Sequence, residues 1–258
     1  MKVVIIGSGN VATVLGRKLV AAGLNIVQVV GRNIENAATL AKELNAAYSS
    51  NPKEINLLAD IYIIAVNDSS IIEVAKELQL GDKLIVHTAG SVSKEVLRSS
   101  SGNYGVIYPL QSLRKELETI PLIPVLIDGS NTETTELLRS FCVQWSDSIA
   151  ITGDSERLKI HLSAVIVNNF TNHLLAQTEK FCEEEQLNFN LLQPLIEETV
   201  LRIKNSSPAK LQTGPAFRND LETIRKHEEL LSNYKELKEL YKFMNNSIAN
   251  FYAAGNDL

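Results

Sequence analysis

The stretch "KVVIIGSGNVATVLG" at residues 2–16 decides the fold of the N-terminal part of the chain. A β-branched run leads directly into a G-x-G-x-x-A pattern, and a helix-forming segment begins there. The first Gly permits a tight turn, the second lets backbone approach a pyrophosphate, and the Ala permits close helix–strand packing. The free N–H groups at the start of the helix suit an anion. The alternative, a purely structural glycine turn, is disfavoured because the motif opens a strand–helix unit. The stretch therefore predicts a dinucleotide site at Gly7, Ser8, Gly9, Asn10, Val11 and Ala12.

Further apolar runs follow this stretch, separated by helix-like segments such as "VATVLGRKLVAAG" at 11–23. Strands that are buried on both faces read as nearly continuous apolar runs, as expected in a mainly parallel sheet. Strand–helix alternation with short connections predicts an α/β fold with a doubly wound, mainly parallel sheet. The runs are "NIVQVVGR" (25–32), "ADIYIIAV" (59–66), "DKLIVHTAG" (82–90), "NYGVIYPL" (103–110) and "PVLIDG" (124–129).

The pattern changes near Gly153, which precedes the N-cap candidates Asp154 and Ser155. Beyond this point no strand pattern remains, and the sequence predicts a second, all-helical domain. We expect a dinucleotide-binding domain over residues 1–152 and a helical domain over residues 153–258, both of ordinary size. The predicted helices cover 155–184, 188–204, 219–231 and 233–253.

Composition narrows the class of protein. The 258 residues are 45% hydrophobic and 21% charged, which is the balance of a globular protein. A formal net charge of −5 argues against nucleic acid or an anionic membrane as a partner. No apolar run is long enough to span a bilayer, and the N-terminus lacks a signal-peptide pattern, so we expect a cytoplasmic protein. Cys142 and Cys182 match no metal or redox spacing; they are expected to be buried thiols, and no metal site is predicted.

The end of the second predicted strand bears on the choice of dinucleotide. Proteins specific for NAD usually carry an Asp or Glu there, for the ribose 2′-hydroxyl. This strand ends "VVGRN", with Arg32 and Asn33 at the tip and the nearest acid, Glu35, beyond it. A guanidinium group suits a 2′-phosphate, so the sequence favours NADP(H) over NAD. The alternative is an arginine that is simply solvated in a turn.

Three more strand ends carry polar groups, in "VNDSS" (66–70), "HTAGS" (87–91) and "YPLQS" (108–112). Ligands of doubly wound sheets collect beyond the carboxyl ends of the strands. Each residue taken singly could equally cap a helix or form a turn. Together they outline a cleft, with cofactor contacts expected at Val66, Asn67, His87, Ala89 and Gly90 and substrate contacts at Ser91 and Gln111.

The segment "HLSAVIVNNFTNHLLA" at 161–176 carries a polar stripe on an apolar helix. With a period of 3.6 residues, four polar side chains fall within a sector of about 120°. Because the rest of the helix is so apolar, we expect it to be buried. Buried polar side chains need hydrogen-bond partners. The stripe could hydrogen-bond to other helices or line a polar pocket, and four members fit a pocket better. They are His161, Asn169, Asn172 and His173.

These motifs, together with "QTGPAFRND" at 212–220, resemble a family of Rossmann-like NADP oxidoreductases with a C-terminal domain of unknown function. The layout is also distantly similar to pyrroline-5-carboxylate reductase, 6-phosphogluconate and 3-hydroxyacid dehydrogenases and deazaflavin-dependent NADP reductases. The resemblance implies a helical domain of the 6-phosphogluconate dehydrogenase type and a homodimer formed through that domain. It also implies that Asn169 reaches the substrate.

One departure from the wider group concerns its acid/base chemistry. Hydroxyacid dehydrogenases place a catalytic Lys one turn before the Asn, where this chain has Val165, and the nearest Lys is Lys159. A simple hydroxyacid dehydrogenase is therefore disfavoured. His161, His173 or a bound water would have to carry the proton.

The stretch "QTGPAFRND" holds more polar residues than a turn needs. Gly214-Pro215 interrupts the helices, and Asn219 or Asp220 can cap the next one. By the resemblance, the loop should face the cleft. We expect the two residues left over to bind substrate together with Asn172, the Arg holding a carboxylate or phosphate; its alternative role is a surface ion pair. The two are Thr213 and Arg218.

The sequence thus predicts an NADP(H)-dependent oxidoreductase that moves a hydride to or from a small anionic substrate. A non-catalytic dinucleotide sensor or interaction protein is the alternative, favoured by the missing Lys. Reduction of a deazaflavin by NADPH is a third option, although the helical domain is large for that role.

Overall fold

The computed structural model describes residues 1–116 and 118–253. The chain forms two compact units, Met1–Asn169 and Phe170–Leu258, and each is described by itself. The first unit ends beyond the predicted division at residue 152, because the helix that follows the last strand belongs to it. The division into domains 1–152 and 153–258 stays a prediction.

The first unit is built on one eight-stranded sheet with the strand order β3-β2-β1-β4-β5-β6-β7-β8. All neighbouring strands are parallel except β6 and β7. The predicted doubly wound, mainly parallel sheet is confirmed. The strands are β1 (Lys2–Ile6), β2 (Asn25–Val30), β3 (Ala47–Ser49), β4 (Ile61–Ile64), β5 (Leu84–His87), β6 (Tyr104–Pro109), β7 (Val125–Gly129) and β8 (Ile149–Ile151). The helices of this unit are α1 (Asn10–Ala21), α2 (Ile34–Glu43), α3 (Asp68–Lys76), α4 (Thr132–Cys142) and α5 (Asp154–Ala164).

The apolar runs of the strands reflect burial on both faces of the sheet. Successive residues of β1 alternate between two hydrophobic clusters, with Val3 and Ile5 in one and Val4 and Ile6 in the other. All four are less than 5% exposed. Each face is covered by helices, so neither set of side chains meets water, and a hydrophobic–polar alternation is absent from the run.

Strands β3 and β8 were not anticipated in the sequence. Each has only three residues, and together they form the two edges of the sheet. Tyr48 and Ile151 on these strands are each 53% exposed. Such short, half-exposed segments lack the apolar run that marks a central strand.

In the second unit the predicted helices are confirmed, and the described residues of this unit contain no strand. The expected single α-helix over 155–184 is wrong in one respect, because a π-helical segment, Val165–Phe170, separates α5 from the next α-helix. A helical wheel with a single period of 3.6 residues therefore gives wrong directions for the side chains across this segment. The helices are α6 (Thr171–Glu184), α7 (Gln193–Ile203), α8 (Leu221–Leu230) and α9 (Lys235–Ala253).

The expectation that the apolar helix at 155–184 is buried is also wrong. In the first unit Leu162 is 58% exposed and Val167 is 70% exposed. In the second unit Phe170 is 57% exposed. Burial requires a covering surface, and neither unit by itself provides one for these side chains.

The cysteines and the membrane-spanning potential of the helices can be compared with the sequence-based expectations. Cys142 and Cys182 are free and buried, as predicted. Over the described ranges, no helix has the length and apolar character needed to cross a membrane.

Candidate functional site

The glycine-rich turn after β1 lies against the end of β4. Gly7 has φ +130°, and a Cβ at this position would lie 2.1 Å from the carbonyl oxygen of Ala65. No side chain fits there, so Gly7 is required by the fold itself. Strand β1 is flanked by β2 and β4, so the chain winds away from it in both directions, and ligands of such sheets bind at this switch point.

The start of α1 is open. Gly9 is the N-cap, and a Cβ built on it would meet no atom within 4 Å. Glycine has no side chain to cap the helix, and the first turn of α1 carries no acidic residue. Within the described structure nothing therefore explains a glycine at position 9 or satisfies the first N–H groups of the helix. An anion placed there would do both.

The segment that follows β2 presents an exposed cation. Arg32 is exposed and forms no ion pair with any described residue. Asn33 is the N-cap of α2, where its side-chain oxygen accepts a hydrogen bond of 2.9 Å from the N–H of Asn36. Of the two predicted phosphate ligands, Asn33 thus has its side-chain oxygen engaged in the cap, whereas Arg32 forms no ion pair with a described residue.

The loop after β5 is shaped by a buried histidine. His87 has no exposed surface; its Nε2 lies 3.3 Å from the carbonyl oxygen of Ser93, and its Nδ1 accepts from the N–H of Ala89 at 3.2 Å. Burial lowers the pKa of His87 to about 4, so the ring is neutral at physiological pH. Both ring nitrogens are engaged with backbone atoms of the loop. A contribution of His87 to cofactor binding would therefore act through the backbone of Ala89 and Gly90.

Strand ends β4 and β5 are joined by a side-chain hydrogen bond. The hydroxyl of Ser91 donates to the carboxylate of Asp68, the first residue of α3. Asn67 is the N-cap of that helix, and its side chain makes no capping bond. Val66 is partly buried and Asn67 is exposed at the same edge. The residues predicted at these strand ends therefore do lie together at the carboxyl edge of the sheet.

A buried ionic cluster fastens α5 to the loop after β5. Arg157, 1% exposed, donates to Asp154 and to the carbonyl oxygen of Val92, both at 2.6 Å. Asp154 also accepts from the hydroxyl of Ser93, and Lys94 pairs with Asp128 at 2.6 Å. Burial would raise the pKa of Asp154, but the hydrogen bonds from Ser93, Arg157 and the N–H of Lys94 outweigh it and lower that pKa. The cluster fixes the position of α5 relative to the strand ends.

One turn beyond Arg157, the ring of His161 packs against the same loop. A Cβ at Gly90 would lie 2.8 Å from Cγ and Nδ1 of His161, so only glycine permits this contact. Nδ1 of His161 lies 2.9 Å from the hydroxyl of Tyr108 on β6, with the two rings edge to face. Burial, with a smaller effect from Asp68, raises the pKa of Tyr108, which therefore stays neutral. His161, predicted from a helical wheel, thus meets two of the predicted strand ends.

A cavity of about 500 Å³ opens beside this pair, within the first unit. Both Asn168 and Asn169, from the π-helical segment, contribute to its wall. Asn172 and His173 are exposed on α6 in the second unit. The side-chain amide of Gln111 donates to the carbonyl oxygen of Leu122 at 3.0 Å. The lining residues are Tyr108, Leu110, Gln111, Ser112, Ile160, His161, Ser163, Ala164, Val165, Val167, Asn168 and Asn169.

The loop at 212–220 belongs to the second unit. Gly214 and Asn219 have φ of +104° and +55°, and Asp220 caps α8 by accepting from the N–H of Thr223 at 3.1 Å. Hydrogen bonds from Thr223, foremost among several causes, lower the pKa of Asp220. Thr213 and Arg218 are exposed, and Arg218 has no ion-pair partner in the described part of the chain. The predicted cap is confirmed, and Arg218 acts on Asp220 electrostatically without an ion-pair contact.

Comparison with solved structures gives the family. A protein from Bacteroides fragilis, named "putative NADP oxidoreductase", is 34% identical with a TM-score of 0.90, and the alignment covers 96% of this chain and 98% of that one. The chain belongs to this NADP oxidoreductase family. Residues 2–90 match the family model described as NADP oxidoreductase, coenzyme F420-dependent, and residues 123–248 match the domain of unknown function DUF2520. The predicted resemblance is confirmed.

More distant similarities support the fold of this oxidoreductase family. An imine reductase from Myxococcus stipitatus, solved in complex with NADP⁺, has a TM-score of 0.69 at 15% identity, with 99% of this chain and 95% of that chain covered. A glutamyl-tRNA reductase from Methanococcus maripaludis is 29% identical over 136 residues. That match spans 49% of this chain and only 36% of the reductase.

The family implies a nicotinamide dinucleotide, and the residues of this chain fit one. Gly7 forms the tight turn, Gly9 leaves open space at the N-terminus of α1, and Ala12 is fully buried against the sheet. A pyrophosphate would occupy that space and accept from the free N–H groups of Asn10 and Val11. The described residues contain no cluster of ligands for a metal ion.

Sequence reasoning missed Tyr108, Asp68 and Asn168. Tyr108 and Asp68 stand in the quoted motifs "YPLQS" and "VNDSS", but their partners lie 53 and 23 residues away and no local pattern reveals them. Asn168 was not included in the predicted stripe, whereas the π segment brings both amides to one wall. Ala164 and Val165 are the residues one turn before Asn169, counting five or four residues back across the π segment, and neither carries a base.

Proposed function

We propose that the protein is an NADP(H)-dependent oxidoreductase that moves a hydride to or from a small substrate held beside His161. The observation that carries this proposal is the position of the cavity. It lies against the Tyr108–His161 pair, and His161 in turn touches the loop at the end of β5. In this fold the ligand crevice runs along the carboxyl ends of the strands, starting from the glycine-rich turn. A cofactor bound at that turn could extend toward the cavity.

The cofactor is proposed to be NADP(H) rather than NAD. Arg32 supports this, because it is exposed, has no ion-pair partner among the described residues and stands where a 2′-phosphate is expected. Asn33 would contribute through its backbone, since its side chain caps α2. The backbone of Ala89 and Gly90 and the side chains of Val66 and Asn67 would border the nicotinamide half. The bound nicotinamide supplies the hydride chemistry, and the chain supplies orientation and electrostatics.

Within the cavity, His161 is proposed as the proton-carrying group and Asn169 as the group that orients the substrate. His161 has an imidazole fixed by Gly90 and Tyr108, and imidazole is the usual general acid or base near neutral pH. Ser91 and Gln111, at the neighbouring strand ends, are proposed to contact the substrate.

The anionic character of the substrate rests on the second unit. The described residues that line the cavity include no Asp, Glu, Lys or Arg. Arg218 supplies an exposed guanidinium, with Thr213 five residues earlier in the same loop, and Asn172 and His173 are exposed on α6. We propose that these residues bind a substrate carboxylate or phosphate, since guanidinium recognises both groups well.

A homodimer formed through the helical unit is also proposed. Within this unit Leu187, Leu191, Leu195 and Leu230 are each more than half exposed. Exposed apolar surface on this scale marks a protein interface, and isologous pairing of two identical surfaces is the commonest way to bury one.

The test of the proposed function is direct. NADPH and NADH are titrated against the protein by fluorescence, and NADPH oxidation is then followed with panels of small carbonyl and imine compounds, with and without a carboxylate. Tight NADPH binding with turnover supports the proposal. Binding without turnover of any compound would instead favour a dinucleotide sensor, and no binding would exclude both.

Reduction of a deazaflavin is a second candidate, favoured by the description of the family model that matches residues 2–90. That match covers the dinucleotide-binding half alone, and the remainder matches a domain of unknown function. Oxidised coenzyme F420 belongs in the same panel, where its reduction would be read from its own absorbance.

A further inference from the structure

The Tyr108–His161 contact has features that a simple structural bond does not need. The hydroxyl and Nδ1 lie 2.9 Å apart, and both residues contribute to the wall of the same cavity. Glycine at position 90 is required for the ring of His161 to lie where it does. A cluster of charged groups one turn earlier holds the helix that carries it. The pair is thus positioned by the contact with Gly90, by its own hydrogen bond and by the charged cluster on α5, and it lies in the wall of the cavity.

We propose that Tyr108 and His161 form a two-residue proton relay, in which Tyr108 donates a proton to the substrate heteroatom and His161 replaces it. This proposal rests on the proposed function and extends it by naming the proton donor. In the reductive direction, the substrate carbon gains a hydride from the reduced nicotinamide as the C=O or C=N π-bond breaks. The heteroatom takes the proton of the Tyr108 hydroxyl, and Nδ1–H of the His161 imidazolium passes its proton to the phenolic oxygen. The products are the alcohol or amine, the oxidised nicotinamide and a neutral imidazole, which solvent reprotonates.

The relay explains why Tyr108 need not ionise. A tyrosine that acted alone would pass through a phenolate, and burial makes that state costly here, because it raises the pKa of Tyr108. When Nδ1–H delivers its proton at the same moment, the phenolic oxygen stays neutral.

The groups around the pair set the expected pH dependence. They are Asp68 at the start of α3, His87 on β5, and Asp154 with Arg157 earlier on α5. His87 has a pKa of about 4, and the pKa of Asp154 is lowered from its ordinary value, so both groups already have their neutral-pH charge above pH 5. A loss of activity with rising pH that is absent from the His161 variants would therefore report proton transfer through the relay.

The test compares four variants with the wild-type protein. Tyr108→Phe removes the donor, and His161→Asn keeps an amide near the position of Nδ1 but cannot carry a proton. His161→Gln moves the amide away from that position, toward the position of Nε2. The matched control is Tyr104→Phe, at the other end of β6, which loses a comparable hydroxyl bond of 2.9 Å to Glu95. NADPH affinity, kcat, KM and pH profiles are measured with 1-pyrroline, cyclohexanone and pyruvate as probes.

The expected result is a loss of kcat on the order of 100-fold or more in Tyr108→Phe and in both His161 variants. NADPH affinity should stay within about threefold, and the fall of kcat with rising pH should vanish in all three. Tyr104→Phe should behave as wild type. A merely structural bond would lower the melting temperature and leave the pH profile in place, and that result overturns the relay, as does full activity of Tyr108→Phe. Absence of NADPH oxidation by the wild-type protein with every probe overturns the proposed function, and the relay falls with it.

Discussion

Arg157 donates a hydrogen bond of 2.6 Å to the carbonyl oxygen of Val92, and this contact joins helix α5 to the loop that follows β5. The same guanidinium pairs with Asp154, also at 2.6 Å, and lies 3.6 Å from Asp128. Its Nε and Nη1 have no hydrogen-bond partner. The buried charge is therefore stabilised by two hydrogen bonds, to Val92 and Asp154, and by the ion pair with Asp128. The arrangement is stable only while all its charges are present.

Arg157→Leu should therefore lower the free energy of unfolding by about 3 kcal/mol or more, because it leaves Asp128 buried with one cation fewer. Urea denaturation measures this change. The control is Arg225→Leu, which breaks an exposed pair with Glu229 at 3.9 Å and should cost less than about 1 kcal/mol. Equal losses of unfolding free energy in the two variants would show that the buried cluster stabilises the fold no more than an exposed ion pair does.

Two glycines of one motif should respond in opposite ways. Gly7→Ala should destabilise the fold, since its methyl group would lie 2.1 Å from the carbonyl oxygen of Ala65. Gly9→Ala has open space and a φ of −86°, so the melting temperature should barely change while NADPH binding weakens about tenfold or more. Calorimetry and fluorescence titration separate the two effects. Unchanged NADPH affinity in Gly9→Ala would place the pyrophosphate elsewhere.

Arg32→Ala tests the choice of cofactor. Loss of one charge-assisted phosphate contact should cost about 1.5–3 kcal/mol, or roughly 10- to 150-fold in NADPH affinity. NADH has no 2′-phosphate, so its affinity should change by less than about twofold. Arg139→Ala, an exposed arginine on α4, is the matched control. If NADPH and NADH affinity fall together, Arg32 does not read the 2′-phosphate.

His87 predicts a pH dependence of stability. Its pKa is about 4 in the folded chain, against an ordinary value of 6.5, so the unfolded chain binds the proton more tightly. The stabilisation is fully present above pH 6.5 and is lost as pH falls toward 4, by about 3 kcal/mol in total. Denaturation curves at several pH values should show this slope, and His87→Gln should flatten it. His173→Gln, at an exposed site, should keep the wild-type slope.

The proposed homodimer is tested by charge placed on the exposed apolar face. Light scattering of the wild-type protein should give twice the monomer mass at micromolar concentration. Leu191→Asp combined with Leu195→Asp should give monomer, because charges would have to be buried in the interface. Leu122→Asp, at a leucine of the first unit that is 78% exposed, should leave the mass unchanged. A wild-type monomer would refute the dimer outright.

Features that arise from contacts between residues close together in the chain could be predicted from the sequence, and features that arise from distant contacts could not. The central strands and the glycine-rich turn were predictable because β-branched runs and G-x-G-x-x-A are local patterns with local causes. The sequence could not indicate that the ring of His87 turns into its own loop, since the side chain could have faced either way at a strand end. Nor could it pair Tyr108 with His161, whose contact depends on the placement of α5 by Arg157. The edge strands β3 and β8 lacked any pattern because half-exposed residues are under little hydrophobic constraint.

The π-helical segment Val165–Phe170 also limits how this chain can be compared with its relatives. Five residues rather than four separate hydrogen-bonded partners there, so the segment holds an additional residue for the same advance along the helix. An ungapped alignment with a relative whose helix is α-helical throughout would be correct on one side of the segment and out of phase by one residue on the other. Equivalent positions for Asn168 and Asn169 should therefore be assigned by superposition of the cavity walls. An alignment that ignores this insertion could pair an amide of a relative with the wrong one of the two asparagines.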